Sequence, residues 1–254
     1  MKRLALLLPA LLVVALLGGC GAGGQSGGGG VHGSIRVFAA ASLTGSFTAL
    51  ARQFEHQHPG TTVQLSFGAS SDLAEQIDNG APADVFASAS PTNMRQVVQA
   101  GNAEGSKPFA SNTMEVAVPP ANPGHVHRLA DLARKGVKVA LCQPQVPCGA
   151  VAREVFDNAG LTVHPVTEEV DVKSVLTKVT LGEVDAGVVY VTDVRAAGRQ
   201  VTGVPIPAGV NASTQYPITV VRGSDNGATA RAFEQLVLSA QGQRELAKAG
   251  FGRP

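Results

Sequence analysis

A chain of 254 residues with a formal net charge of +1 offers no electrostatic footprint for nucleic acid or for a broadly acidic partner. Aromatic residues make up 4% and tryptophan is absent, which argues against a sugar-stacking or single-strand-binding platform. The length allows one large domain or two small ones, and no repeat of solenoid period is present.

Lys2 and Arg3 precede an apolar run from Leu4 to Leu17, followed by Gly18, Gly19 and Cys20. A basic start, a short apolar run and a small-residue end make a secretory signal, here residues 1–19. The run falls short of the roughly 20 residues needed to span a bilayer. Leu17-Gly18-Gly19-Cys20 resembles the bacterial lipobox, which implies lipidation of Cys20. Residues 20–33 are then a glycine-rich tether. The expected location is the outer face of the cytoplasmic membrane, with a lipid anchor.

Ile35 to Ala39 is a buried strand that turns at small residues into a helix. Leu43, Phe47, Leu50, Ala51 and Phe54 share one apolar helical face, and Ser42 occupies the expected N-cap. Such a junction leaves N–H groups unpaired where the helix dipole favours an anion. Thr62 to Phe67 is a second strand, and Gly68-Ala69-Ser70-Ser71 turns into a helix that stops at Gly80. Asp72 complements the dipole of its first turn. Ala83 to Ala87 is a third strand, followed by a helix from Pro91 to Gly101.

Thr113 to Val118 is a strand, Leu129 to Ala133 a short helix and Val137 to Leu141 a buried strand. The loop from Cys142 to Gly149 enters a helix from Ala150 to Ala159, with Cys148 at its start. Asp171 is a good N-cap for a helix from Val172 to Val179. Asp185 to Val191 is a strand with Tyr190 near its end, and Tyr216 to Val221 is one more. Helices Ala228 to Ala240 and Gln241 to Ala249 close the chain. This alternation predicts an α/β fold, a mostly parallel sheet with helices on both faces.

Each half thus offers two helix starts, and ligands of open α/β sheets bind at the carboxyl ends of strands. Halves that face each other would bring those starts and two or three hydroxyls to one cleft. Such a donor-only site suits a small oxyanion that carries no proton, because a protonated one needs an acceptor.

The segments V-F-A-A-A-S-L-T, S-F-G-A-S-S-D-L-A-E-Q-I, G-A-P-A-D-V-F-A-S-A, the P-C-G loop, E-E-V-D-V and D-A-G-V-V-Y closely resemble the solute-binding proteins of bacterial molybdate ABC transporters. The resemblance covers essentially everything after the tether, with the motifs in the same order. It implies a two-lobed periplasmic-binding-protein fold of the second type. Lobe 1 would be residues 34–111 plus 214–254 and lobe 2 residues 112–213. The implied ligand is molybdate or tungstate, and the implied partner is the transporter's permease. By the resemblance Ser42 and Ser70 bind through hydroxyl and N–H, Cys148 and Val172 through N–H alone, and Tyr190 through its phenol. No resident cofactor, no metal cation and a monomeric state are expected.

Cys148 departs from the small residue expected there. A free thiol at a helix start is acidified, and a thiolate would repel a dianion. Cys142 lies six residues away and exported proteins meet oxidising surroundings, so a Cys142–Cys148 disulfide is expected.

A binder of sulfate or another tetrahedral oxyanion is the near alternative, since sulfate presents the same acceptors. An enzyme is the distant one: S-x-x-K does not occur, and the single G-x-S-x-G match, Gly24 to Gly28, lies in the glycine-rich tether and not at a strand-to-helix turn. His56-x-His58 and His125-x-His127 lack partners at zinc-ligand spacing. A regulator's effector domain would share this fold, but the signal sequence and the lack of a DNA-binding segment argue against it.

Overall fold

The computed structural model describes residues 30–254. The expected signal peptide, Cys20 and the tether as far as residue 29 lie outside them. The chain opens with β1 (Gly33–Ala40), a 3-10 turn (Ala41–Leu43), α1 (Thr44–Gln57), β2 (Thr61–Gly68), α2 (Ser70–Asp78), β3 (Val85–Ala87) and α3 (Pro91–Gln99). It continues through β4 (Lys107–Val118), β5 (Val139–Cys142), α4 (Pro147–Ala159), β6 (Thr167–Glu169), α5 (Val172–Thr180), β7 (Ala186–Tyr190) and α6 (Val191–Ala197). β8 (Thr202–Pro205), β9 (Ser213–Val220), α7 (Gly227–Leu238) and α8 (Ala240–Ala249) complete it.

The strands follow the order β2-β1-β3-β9-β4-β7-β5-β6, with β8 on β4. β1 pairs parallel with β2 and β3, and β5 pairs parallel with β6 and β7. The joints between these parallel groups are antiparallel and are made by β4 and β9. Residues of β4 up to Thr113 pair with β9, while Met114 onward pairs with β7 and Glu115 onward with β8. One strand therefore belongs to both halves, and the chain returns to the first half through β9. The expected lobe limits at 111/112 and 213/214 fall on these two strands.

Packing gives each half a core of its own. β1 is enclosed by strands and helices, so its Val-Phe-Ala-Ala end is buried on both faces and reads as a continuous apolar run. α1 buries Phe47, Leu50, Ala51 and Phe54, one face of the helix. Phe47 and Phe54 meet Phe233 of α7 edge-on at 6.0 and 5.5 Å. A second core gathers Val139, Val155, Val175, Val179, Val188 and their neighbours around β5 and β7.

Some elements differ from expectation. β4 begins at Lys107, ahead of the expected Thr113, and β9 begins at Ser213, ahead of Tyr216. Pro108 with Ser111 and Asn112 hides the first start and Ser213-Thr214-Gln215 the second; both exist because the two strands pair with each other. The short helix expected at Leu129–Ala133 is there with the same bounds, in 3-10 form. β6, β8 and α6 had no distinct signal in the sequence; each is short and takes its place from its neighbours.

Candidate functional site

Ser42 closes β1 within the 3-10 turn Ala41–Leu43. It is not the N-cap of α1, which starts at Thr44 without a side-chain cap. The reason is that its hydroxyl is engaged elsewhere, with Oγ 2.9 Å from the Tyr216 hydroxyl. Ser70 is the first residue of α2, where first-turn N–H groups lack partners within the helix. Its Oγ accepts the Ala89 N–H at 2.9 Å, which leaves the hydroxyl hydrogen for a ligand.

In the second half, Pro147 starts α4 and Cys148 follows in the first turn. Cys148 is disulfide-bonded to Cys142 with Cα atoms 5.7 Å apart, so no thiolate stands at this helix start. Val172 is the first residue of α5, whose N-cap Asp171 accepts the Ser174 N–H at 2.8 Å. Tyr190 ends β7 and precedes α6.

All five expected residues line a single cavity of about 20 Å³. That is space for one small solute, far below the roughly 300–1,000 Å³ of sites for drug-sized ligands. Ser42 and Ser70 come from the first half, and Cys148, Val172 and Tyr190 from the second. Among the described residues no Lys, Arg or His lines it. Asp171 also touches it, but its Oδ1 is committed to capping α5. A larger open groove of about 610 Å³, between Lys107, Arg222, Arg231 and Glu234, contains none of the five.

Tyr190 is the decisive member. Its side chain is buried, and its hydroxyl, which lies beside that of Tyr216, makes no hydrogen bond of normal geometry among the described residues. An unpaired buried hydroxyl costs about 1–3 kcal/mol, and a ligand oxygen in the cavity would remove that cost. Burial also pushes the phenol well above its usual range, as it does for Tyr216, so both remain protonated donors.

The sequence from residue 35 to 252 matches the family model described as bacterial extracellular solute-binding protein. The chain belongs to that family. It is 43% identical over 222 residues to the molybdate-binding protein ModA of Mycobacterium tuberculosis, covering 87% of this chain and 85% of that protein. Its fold matches the periplasmic molybdate-binding protein of Azotobacter vinelandii with a TM-score of 0.76 at 24% identity, over 87% of this chain and 99% of the other. It also matches the sulfate-binding protein SubI of M. tuberculosis with a TM-score of 0.75 at 22% identity, over 87% and 86% of the two chains.

These relatives bind solutes for transporters and are not enzymes, and this solute-binding protein shares the fold of the two solved structures. No helix among the described residues is long and apolar enough to cross a membrane. The sequence reading missed two polar residues on the strands that join the solute-binding protein's halves, Asn112 on β4 and Tyr216 on β9. Composition held a signal for one of them: the chain has only two tyrosines, and the second touches Ser42 as directly as the first lines the cavity. Asn112 had none, because its partner Thr192 is 80 residues away.

Proposed function

We propose that this solute-binding protein captures molybdate, and tungstate with it, and delivers it to an ABC-transporter permease. Ser42, Ser70 and Tyr190 would donate through hydroxyls, and Ser42, Ser70, Cys148 and Val172 through backbone N–H groups. The observation that carries the reading is the unpartnered Tyr190 hydroxyl in a small cavity lined by helix starts from both halves. A tetrahedral dianion offers acceptors in every direction, so it satisfies donors that point at one another. Capture would close the two halves around the β4 and β9 joint, and the permease would recognise the closed form. The protein would work as a monomer without a resident cofactor, held to the outer face of the membrane by a lipid on Cys20. The molybdate-binding relative at 43% identity supports this choice of ligand.

Sulfate is the second reading, because the sulfate-binding and molybdate-binding structures match this fold equally well. Donor chemistry is the same for both anions, and the size of the closed cavity separates them. Titration calorimetry of residues 30–254 with molybdate, tungstate, sulfate and phosphate at neutral pH decides. Tight molybdate and tungstate binding with weak sulfate binding is expected. Equal sulfate affinity would move the function to general oxyanion capture, and silence from all four would overturn the site.

A further inference from the structure

Ser42 does not face the cavity alone. Its Oγ lies 2.9 Å from the Tyr216 hydroxyl. Behind Tyr216 stands Asn112, whose Nδ2 is 3.5 Å from that hydroxyl and 2.8 Å from Thr192 Oγ1. The other end of the amide is fixed, because Oδ1 accepts the Thr113 N–H at 3.1 Å. The NH2 end therefore faces Tyr216, and an NH2 group can only donate. Ser42, Asn112, Thr192 and Tyr216 are all buried, so water does not compete for these bonds. A Tyr216 oxygen that receives a hydrogen from Asn112 gives its own to Ser42 Oγ. Ser42, with a lone pair so engaged, is left to aim its hydrogen into the cavity.

We infer that Asn112 and Tyr216 are positioning residues that lock Ser42 as a donor, and that this lock makes the site reject oxyanions that carry a proton. The inference rests on the oxyanion reading above and adds a source for its selectivity. A hydroxyl free to rotate can accept a hydrogen from a protonated ligand as readily as it donates to a bare one. Ser42 has lost that choice through Tyr216, and Ser70 is held in the same sense by the Ala89 N–H. The lock also spans the joint: Ser42 belongs to the first half, Asn112 and Tyr216 to the two connecting strands, and Thr192 to α6 of the second half.

The test is titration calorimetry with molybdate, sulfate and inorganic phosphate at mildly alkaline pH, where phosphate is mainly a dianion that keeps one proton. Tyr216→Phe retains the ring and removes the donor to Ser42. It should weaken molybdate binding by about tenfold and raise the phosphate-to-molybdate affinity ratio by at least that factor. Asn112→Asp replaces the donor by an acceptor at constant shape, so the chain of hydrogens reverses and Ser42 turns a lone pair to the cavity. Phosphate binding should appear in this variant while molybdate binding falls by about a hundredfold.

A new charge acting only through its field would weaken molybdate, sulfate and phosphate in parallel, and an unchanged ratio would overturn the inference. So would a Tyr216→Phe protein that binds every anion like wild type and only melts earlier. If Asn112→Asp does not fold, the ratio in Tyr216→Phe decides alone. Wild-type protein that binds none of the anions would instead remove the oxyanion reading, and this inference with it.

Discussion

Lys173 Nζ and Asp193 Oδ1 lie 2.7 Å apart, with the carboxylate wholly buried and the lysine a third exposed. The pair fastens the second residue of α5 to the third of α6. Asp193 also accepts the Tyr190 N–H at 3.2 Å. Two of the proposed ligand contacts, the Val172 N–H and the Tyr190 phenol, are thereby held at a fixed separation by a charge pair that does not line the cavity.

Removing the lysine leaves a buried charge alone. Lys173→Met should destabilise the protein by about 2–3 kcal/mol near neutral pH, under the 3–5 kcal/mol of fully enclosed pairs because Lys173 is partly solvated. Burial already raises the Asp193 carboxyl above its ordinary 3.8, against the pull of Lys173. The folded protein therefore holds that proton more tightly than the unfolded chain. Stability from this group is complete below pH 3.8 and falls as pH rises through the folded value. The Lys173→Met deficit should shrink in acid, and Asp193→Asn should gain on wild type as pH climbs from about 4 to 7. Urea unfolding across that range reads both. A deficit independent of pH would show that Asp193 is not its source.

The Cys142–Cys148 bridge closes a loop whose ends are six residues apart in sequence. Loop-closure entropy for so short a ring predicts that reduction costs about 2 kcal/mol. Function should respond differently. With the bridge open, Cys148 becomes a thiol at the start of α4, where a thiolate is favoured, and affinity for a dianion should fall as pH rises through neutrality. Oxidised protein should show no such decline. Calorimetric titrations with and without reductant between pH 6 and 8.5 check this, and parallel curves would refute it.

The candidate site, as the cavity that gathers the five expected residues, was more legible than the strands that connect the halves. Ser70, Cys148 and Val172 could be found because a helix start announces itself locally, through a cap, a proline or a switch from strand to helix periodicity. Tyr190 alone needed the resemblance, since a tyrosine at a strand end is otherwise a packing residue. Ser42 was found for a reason that proved incomplete: it adjoins a helix, but its hydroxyl answers to Tyr216 and not to α1. That contact joins residues 174 apart in sequence, and no local pattern encodes it. The early half of β4 was hidden for the same reason, because Lys-Pro-Phe-Ala-Ser-Asn becomes strand only through pairing with β9.

Binding through side chains and binding through backbone should separate in alanine scanning. Ser42→Ala and Ser70→Ala each remove a hydroxyl donor to a charged ligand and should cost about 1.5–3 kcal/mol of affinity. Val172→Ala keeps its N–H and should cost well under 1 kcal/mol of affinity, while its buried side chain makes the loss appear in stability. Tyr190→Phe should move the two quantities in opposite directions. It discards a buried hydroxyl that has no partner, so the free protein should gain up to about 1 kcal/mol while ligand binding weakens. Thermal unfolding with and without molybdate measures both. A Tyr190→Phe protein that loses stability and keeps affinity would place the phenol outside the site.

Gly149 and Gly242 give a matched pair. A Cβ on Gly149 would stand 2.0 Å from the Gln143 carbonyl oxygen and 2.7 Å from that of Cys142. One on Gly242 would stand 2.2 Å from the Leu236 carbonyl oxygen. Backbone cannot yield as a side-chain tip does, so alanine at either position forces a segment aside, at a cost of about 1–3 kcal/mol. The segments differ in what they carry. Gly149→Ala pushes on the turn that sets the Cys148 N–H against the cavity, and should lose affinity along with stability. Gly242→Ala pushes on the junction of α7 and α8, whose residues do not line the cavity, and should lose stability alone. Equal losses of affinity in the two variants would mean that global loosening, rather than the place of one N–H, governs ligand capture.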